Sequence, residues 1–131
     1  NHNILGTIIG KLKKNNIRVS LFVDSSVDQI KLAKELGSDI IEIHAGEFCR
    51  KVHDRLDFQK ELNTIKEASS FAESIGLETH VGHGVTFDSI AELSRINEVK
   101  EFNIGHFIIS ESLFLGLETT IKKMKSLIAE G

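Results

Sequence analysis

The sequence predicts an α/β fold, a parallel sheet with helices on its outside. Three observations predict it. Helical and extended patterns alternate along the chain in the order αβαβαβαβα. The extended runs are short and rich in isoleucine and other β-branched residues, as strands buried on both faces require. Three successive strands also end at or near a histidine with glycine close by: Ile41-Glu42-Ile43-His44-Ala45-Gly46, Glu78-Thr79-His80-Val81-Gly82-His83-Gly84 and Phe102-Asn103-Ile104-Gly105-His106-Phe107. Repeated β–helix–β units with right-handed crossovers bring such strands side by side. Four units make half of an eight-stranded barrel, or a small open sheet.

Each element has its own warrant. Over residues 3–14, Ile4, Leu5, Ile8, Ile9 and Leu12 form one helical stripe, and Lys11, Lys13 and Lys14 crowd the last turn, where positive charge complements the dipole. Asn15 and Asn16 end it. Ile17 to Val23 is a β-branched and aromatic run of strand length. Ser26 with Gln29 reads as a capping box ahead of Val27, Ile30, Ala33 and Leu36, and Gly37 is the stop. From Asp39 to His44 the strand alternates, so Ile40, Glu42 and His44 share one face while Ile41 and Ile43 share the other. Residues 45–58 read as a polar loop, longer than the ~2–6 residues usual for such a connection and suited to a lid or an oligomer contact.

The next helix runs from Gln59 to Ile75, with Leu62, Ile65, Ala68, Ala72 and Ile75 inward and Gly76 as its stop. Glu78–Val81 is a strand, and Gly82-His83-Gly84 is the turn that follows. Thr86 caps a helix from Phe87 to about Arg95, and Glu101–Gly105 forms the last strand. Beyond His106 the pattern predicts a short helical turn over 107–110. A final helix from Glu111 follows, marked by Leu113, Leu117, Ile121, Met124 and Ile128.

Composition narrows the function classes. The 131 residues amount to one domain or less, with 40% hydrophobic and 27% charged residues, ordinary for a soluble globular protein. The net charge of −3 and the scattered Lys and Arg argue against nucleic acid as the main partner. No apolar run approaches the ~20 residues that cross a bilayer, and no signal-peptide pattern is present. The single Cys49 cannot form an internal disulfide, so a reducing, cytoplasmic compartment is expected. The chain starts at Asn1, without Met and inside a helical pattern, and so reads as a piece of a longer chain.

The chemistry gathers at the strand ends, where parallel β/α proteins carry their active sites. In Gly82-His83-Gly84, neither glycine presents a side chain, so backbone N–H groups can approach a ligand closely. Gly105-His106 does the same at the mouth of a helix whose dipole favours an anion. Two such turns side by side point to anion binding, whereas one alone is more often a plain tight turn. Glu42 lies in an Ile-rich strand, where a carboxylate must be paired, hydrogen-bonded or held with a raised pKa. The bland reading is an ion pair with an interior Arg or Lys; the functional one is acid–base work. His83, between glycines at a strand end, is the candidate for proton transfer. His80 reads as structural and His53 as solvated. Cys49 beside Arg50 and Lys51 has the charge neighbours of a lowered thiol pKa, although most lone cysteines are inert. His44, His83, His106 and Glu42 offer metal-ligand types, but there is no HxH pair and no HExxH helix, and no metal is expected.

These residues carry a resemblance. IEIHAG, VGHGVT and FNIGHFII, preceded by RVSLFVD, resemble the pyridoxine 5′-phosphate synthase family across essentially all 131 residues and in the same order. The resemblance is to the carboxyl-terminal half of that enzyme. It implies a (β/α)8 TIM barrel, of which residues 1–131 supply about half as part of a single domain. It implies condensation of 3-amino-2-oxopropyl phosphate with 1-deoxy-D-xylulose 5-phosphate to pyridoxine 5′-phosphate, phosphate and water, with no cofactor. By the same resemblance His83 is the proton donor and Glu42 stabilises a transition state. Gly84, Gly105 and His106 hold the phosphate of the amino-ketone substrate. A homo-oligomer, an octamer, is implied too. The family's other acid–base groups, a His and a Glu, belong to the amino-terminal half, and His80 stands where a smaller polar residue is more usual. The alternatives are another phosphate-binding β/α barrel enzyme, such as an aldolase or isomerase, or a non-catalytic half-barrel that binds phosphate. An essential lysine at a strand end would favour the aldolase, and the sequence has none.

Overall fold

The computed structural model describes residues 2–131; Asn1 and the side chain of His2 lie outside the described residues. The chain runs α1 (His2–Lys14), β1 (Ser20–Val23), α2 (Val27–Glu35), β2 (Ile40–His44), α3 (Gly46–His53), α4 (Gln59–Ser74), β3 (Glu78–Gly82), α5 (Phe87–Leu93), β4 (Val99–Asn103), α6 (His106–Leu115) and α7 (Leu117–Glu130). The four strands are parallel and lie side by side in chain order, β1-β2-β3-β4. A doubly wound sheet reverses its strand order at a switch point. This sheet does not, so the chain is an α/β half-barrel.

Strand alternation separates two faces. Ile41, Ile43 and Val81 point to the helices and are fully buried, with Ile30, Phe48, Ile90 and Leu93 packed in the same cluster. Phe22, Glu42 and His80 are register partners and share the other face, with Glu101 next in line beyond a register shift between Thr79 and His80. That face is polar, and Phe22 on it is 57% exposed. Hence one sheet has an oily side that holds the fold and a polar side free for chemistry.

Several elements differ from the sequence expectation. Residues 45–58 are not a loop. Phe48 and Cys49 are buried and Val52 packs on the core, which gives α3 an apolar face, while Arg50 pairs with Glu47 and Asp54 on its solvent side. The Ser26 capping box does not form, because Gln29 turns to Asp24 instead, accepting from its N–H at 2.9 Å and donating to its carboxylate at 3.1 Å. The Thr86 cap does form, with Ser89 as its reciprocal partner. β1 begins at Ser20 rather than Ile17, because the Asp39 carboxylate and backbone tie down Val19 just before the ladder. β4 begins and ends two residues earlier than expected, which leaves Gly105 free as the N-cap of α6. The last helix is two helices. Gly116 adopts φ 81° and splits α6 from α7, so Leu113 is 81% exposed and, of the expected stripe, only Met124 is buried. Among the described residues, no helix is long and apolar enough to cross a membrane.

Candidate functional site

The carboxyl ends of the strands open into a cleft of about 510 Å³. Glu42 from β2, His83 and Gly84 from the turn after β3, and Gly105 and His106 at the start of α6 all line it. The sequence reading named these five, and the fold brings them together. Phe22, Asn103 and Ser110 also line the cleft and were not singled out from sequence, and Thr86, read there only as a helix cap, lines it too.

Glu42 projects from the polar face toward β3 and β4. Among the described residues its hydrogen-bond partner is not the Arg or Lys of the bland reading; the Asn103 side-chain amide donates to its carboxylate at 2.8 Å. Gly82 makes room for it, since a Cβ at that position would overlap Glu42 Oε1. Asn103 was legible in principle. It ends β4, two residues before Gly105, and a half-buried carboxylate needs a donor across the sheet.

The turn after β3 passes through two left-handed residues, His83 at φ 68° and Gly84 at φ 79°. Glycine adopts that conformation freely; histidine does so at a cost of order 1 kcal/mol or more, which the surroundings must offset. Here the neighbours are aromatic. The His83 ring stacks on His44, with centroids 4.6 Å apart and planes inclined by 27°, and Phe22 stands edge-on to His44 at 5.3 Å. Gly84 lies against Cys49, where a Cβ would come within 3.3 Å of the Cys49 Cβ.

The start of α6 is held by aromatic packing. Phe107 sits edge-on to Phe87 at 4.8 Å, and Lys123 lies 4.1 Å over the Phe87 ring. No acidic residue occupies the first turn, and Gly105, the N-cap, presents no side chain. A Cβ at Gly105 would meet nothing within 4 Å. The first N–H groups of α6 therefore face open space at the positive end of the helix dipole, a place that takes an anion.

Other candidates stand apart. His80 is buried below the cleft, with Nε2 2.8 Å from Glu78 Oε1. Glu78 is held below the usual carboxylate range by that histidine and then by Arg18. Cys49 fits the inert reading and not a lowered thiol pKa: burial pushes it up, opposed by a hydrogen bond with Ser89, while Arg50 points to solvent. His53 is exposed at the end of α3.

The family profile described as "Pyridoxal phosphate biosynthesis protein PdxJ" matches residues 1–130. Among curated proteins, a pyridoxine 5′-phosphate synthase from Sulfurihydrogenibium sp. is 42% identical over 124 residues, covering 95% of this chain and 50% of that protein. One from Zymomonas mobilis is 40% identical over 124 residues, covering 95% and 48%. One from Ruegeria pomeroyi is 40% identical over 131 residues, covering 98% and 52%. The chain spans about half the length of the curated relatives it matches.

Proposed function

Because the chain belongs to the PdxJ family of pyridoxal phosphate biosynthesis proteins, we propose that it is the carboxyl-terminal half of a pyridoxine 5′-phosphate synthase barrel. The observation that carries the proposal is the meeting of Glu42, His83, Gly84, Gly105 and His106 on one cleft at the strand ends. The reaction joins 3-amino-2-oxopropyl phosphate to 1-deoxy-D-xylulose 5-phosphate, with Schiff-base formation, phosphate loss and ring closure.

In this reading each group has one task. The N–H groups of Gly84, Gly105 and His106 hold the phosphate of the amino ketone, aided by the α6 dipole. That contact places the reacting carbons toward the polar face of the sheet. Glu42, steadied by Asn103, stabilises positive charge that develops as amine and carbonyl condense. His83 donates a proton to an oxygen that departs as water. No lysine lines the cleft among the described residues. In this reading the Schiff base forms between the two substrates, and a lysine of this chain does not carry it. We place the protein in the cytoplasm as a homo-oligomer. Leu113 and Phe114 of α6, at 81% and 84% exposure, offer a contact surface to another copy or to the half of the barrel that this chain does not supply.

The test is turnover by the intact protein supplied with both substrates. Pyridoxine 5′-phosphate and inorganic phosphate should appear together in equal amounts. Phosphate release without the ring product, or no release at all, would overturn the proposal.

A further inference from the structure

We propose that His44 is a positioning residue for His83, holding the proton-donating ring by its face so that both ring nitrogens stay available to substrate. The inference rests on the synthase reading for what His83 does, but its geometry stands on its own.

His83 has a problem that its task creates. It is exposed, on a left-handed turn between two glycines. A ring in that setting samples several rotamers, whereas proton transfer needs one nitrogen held about 3 Å from the reacting atom. The usual remedy is a hydrogen bond to one ring nitrogen. Among the described residues, His80 is the histidine whose ring makes such a bond or an ion pair; His83 and His44 make neither. What restrains His83 is contact with its ring face, through the His44 stack at 4.6 Å and 27°. Phe22 braces the stack from the side, edge-on to His44 at 5.3 Å and tilted against His83 at 6.4 Å.

The surroundings are shaped for this stack. Gly46 lies under both rings: a Cβ there would come within 2.6 Å of His44 Cε1 and 3.0 Å of His83 Cδ2. Gly82 is the register partner of His44, so the chain delivers His83 directly beside it. His44 is not among the residues lining the cleft, whereas His83 is. His44 therefore reaches this cleft through His83. Face-to-face aromatic contact fixes a ring plane while leaving its edge free. A donor that must present its edge to two substrates in turn needs such a support.

The experiment compares His44→Ala, His44→Phe and wild type in the intact protein, with three readouts. kcat should fall about 10- to 100-fold in His44→Ala with KM within about twofold, the size expected when a reacting group is misplaced by about 1 Å. His44→Phe, which keeps a flat face but has no titratable nitrogen, should recover kcat to within about threefold. In NMR spectra, the His83 ring protons should lose the upfield displacement produced by the stack in His44→Ala and keep it in His44→Phe. If His44→Ala does not fold, His44→Leu takes its place, matching the bulk without the flat face. A His44→Phe enzyme as slow as His44→Ala would show that the nitrogens of His44 matter and overturn the proposal, as would unmoved His83 signals in His44→Ala. Failure of wild type to form product would sink the synthase reading alone, and the His83 ring signals would still decide the stack.

Discussion

Gly82→Ala adds one methyl group to the floor of the cleft, and the structure says where the consequence falls. The new Cβ overlaps Glu42 Oε1, and lies 3.0 Å from Glu42 Cδ and 3.2 Å from the Asn103 carbonyl oxygen. The carbonyl belongs to the neighbouring strand, whose Asn103 is the register partner of Gly82, and it cannot yield without breaking the ladder. The carboxylate is the far end of a flexible side chain and can. Gly82 is not a positive-φ residue, so alanine brings no backbone strain. Glu42 therefore swings away and loses its 2.8 Å hydrogen bond from Asn103. A hydrogen bond to a charged group is worth about 1.5–3 kcal/mol. If Glu42 acts in the transition state, that converts to a loss of about 10- to 100-fold in kcat. Stability should barely change, because alanine in place of a strand glycine recovers about 0.5–1 kcal/mol of backbone entropy against the crowding. The assay is kcat and melting temperature for Gly82→Ala, Glu42→Gln and the double variant. Both changes act on one carboxylate, so the double variant should be no slower than the slower single one. Wild-type kcat in Gly82→Ala, or a double variant that multiplies the two losses, would refute the reasoning.

Other expectations follow from the same geometry. His83→Asn should lower kcat by roughly 10²–10⁴-fold, the range for a general acid, and leave phosphate affinity almost unchanged, read by steady-state kinetics beside inorganic-phosphate inhibition. Thr86→Ala removes the cap of α5 and should cost about 1 kcal/mol in urea unfolding, with Ser89→Ala costing no more on top of it. Asp39 is held below the usual carboxylate range by Lys13 first and the Val19 N–H second. A carboxylate lowered by folding adds stability above its unfolded pKa, and the contribution is lost as pH falls through the folded value. Melting temperature should therefore stay level down to about pH 5 and drop below it, and Asp39→Asn should flatten part of that drop.

The sequence was most informative where one side chain answers one local demand. Gly37 and Gly76 end helices at φ 89° and 74°, as expected of helix-stop glycines. The alternation in β2 puts Glu42 and His44 together on one face, and the strand-end histidines point to the mouth of the sheet. Legibility failed where a distant partner decided. Residues 46–53 are polar by count and became a helix because Phe48 and Cys49 found the core. Gln29 was drawn from Ser26 to Asp24. The stripe Leu113–Ile128 matched helical spacing across Gly116, and spacing does not reveal a left-handed glycine within it. Asn103 and the His44–His83 stack depend on neighbours about 61 and 39 positions away in sequence, which become visible only once register is known.

The central claim is that one cleft holds a substrate phosphate on backbone N–H groups while Glu42 and His83 face the reacting carbons. The direct measurement is a crystal structure of the intact protein with 3-amino-2-oxopropyl phosphate. The account predicts the phosphate on the N–H groups of Gly84, Gly105 and His106, and the amino ketone extending between Glu42 and His83. A phosphate bound elsewhere on the protein, with the α6 N-terminus free of it and His83 turned away from the ligand, would contradict the account.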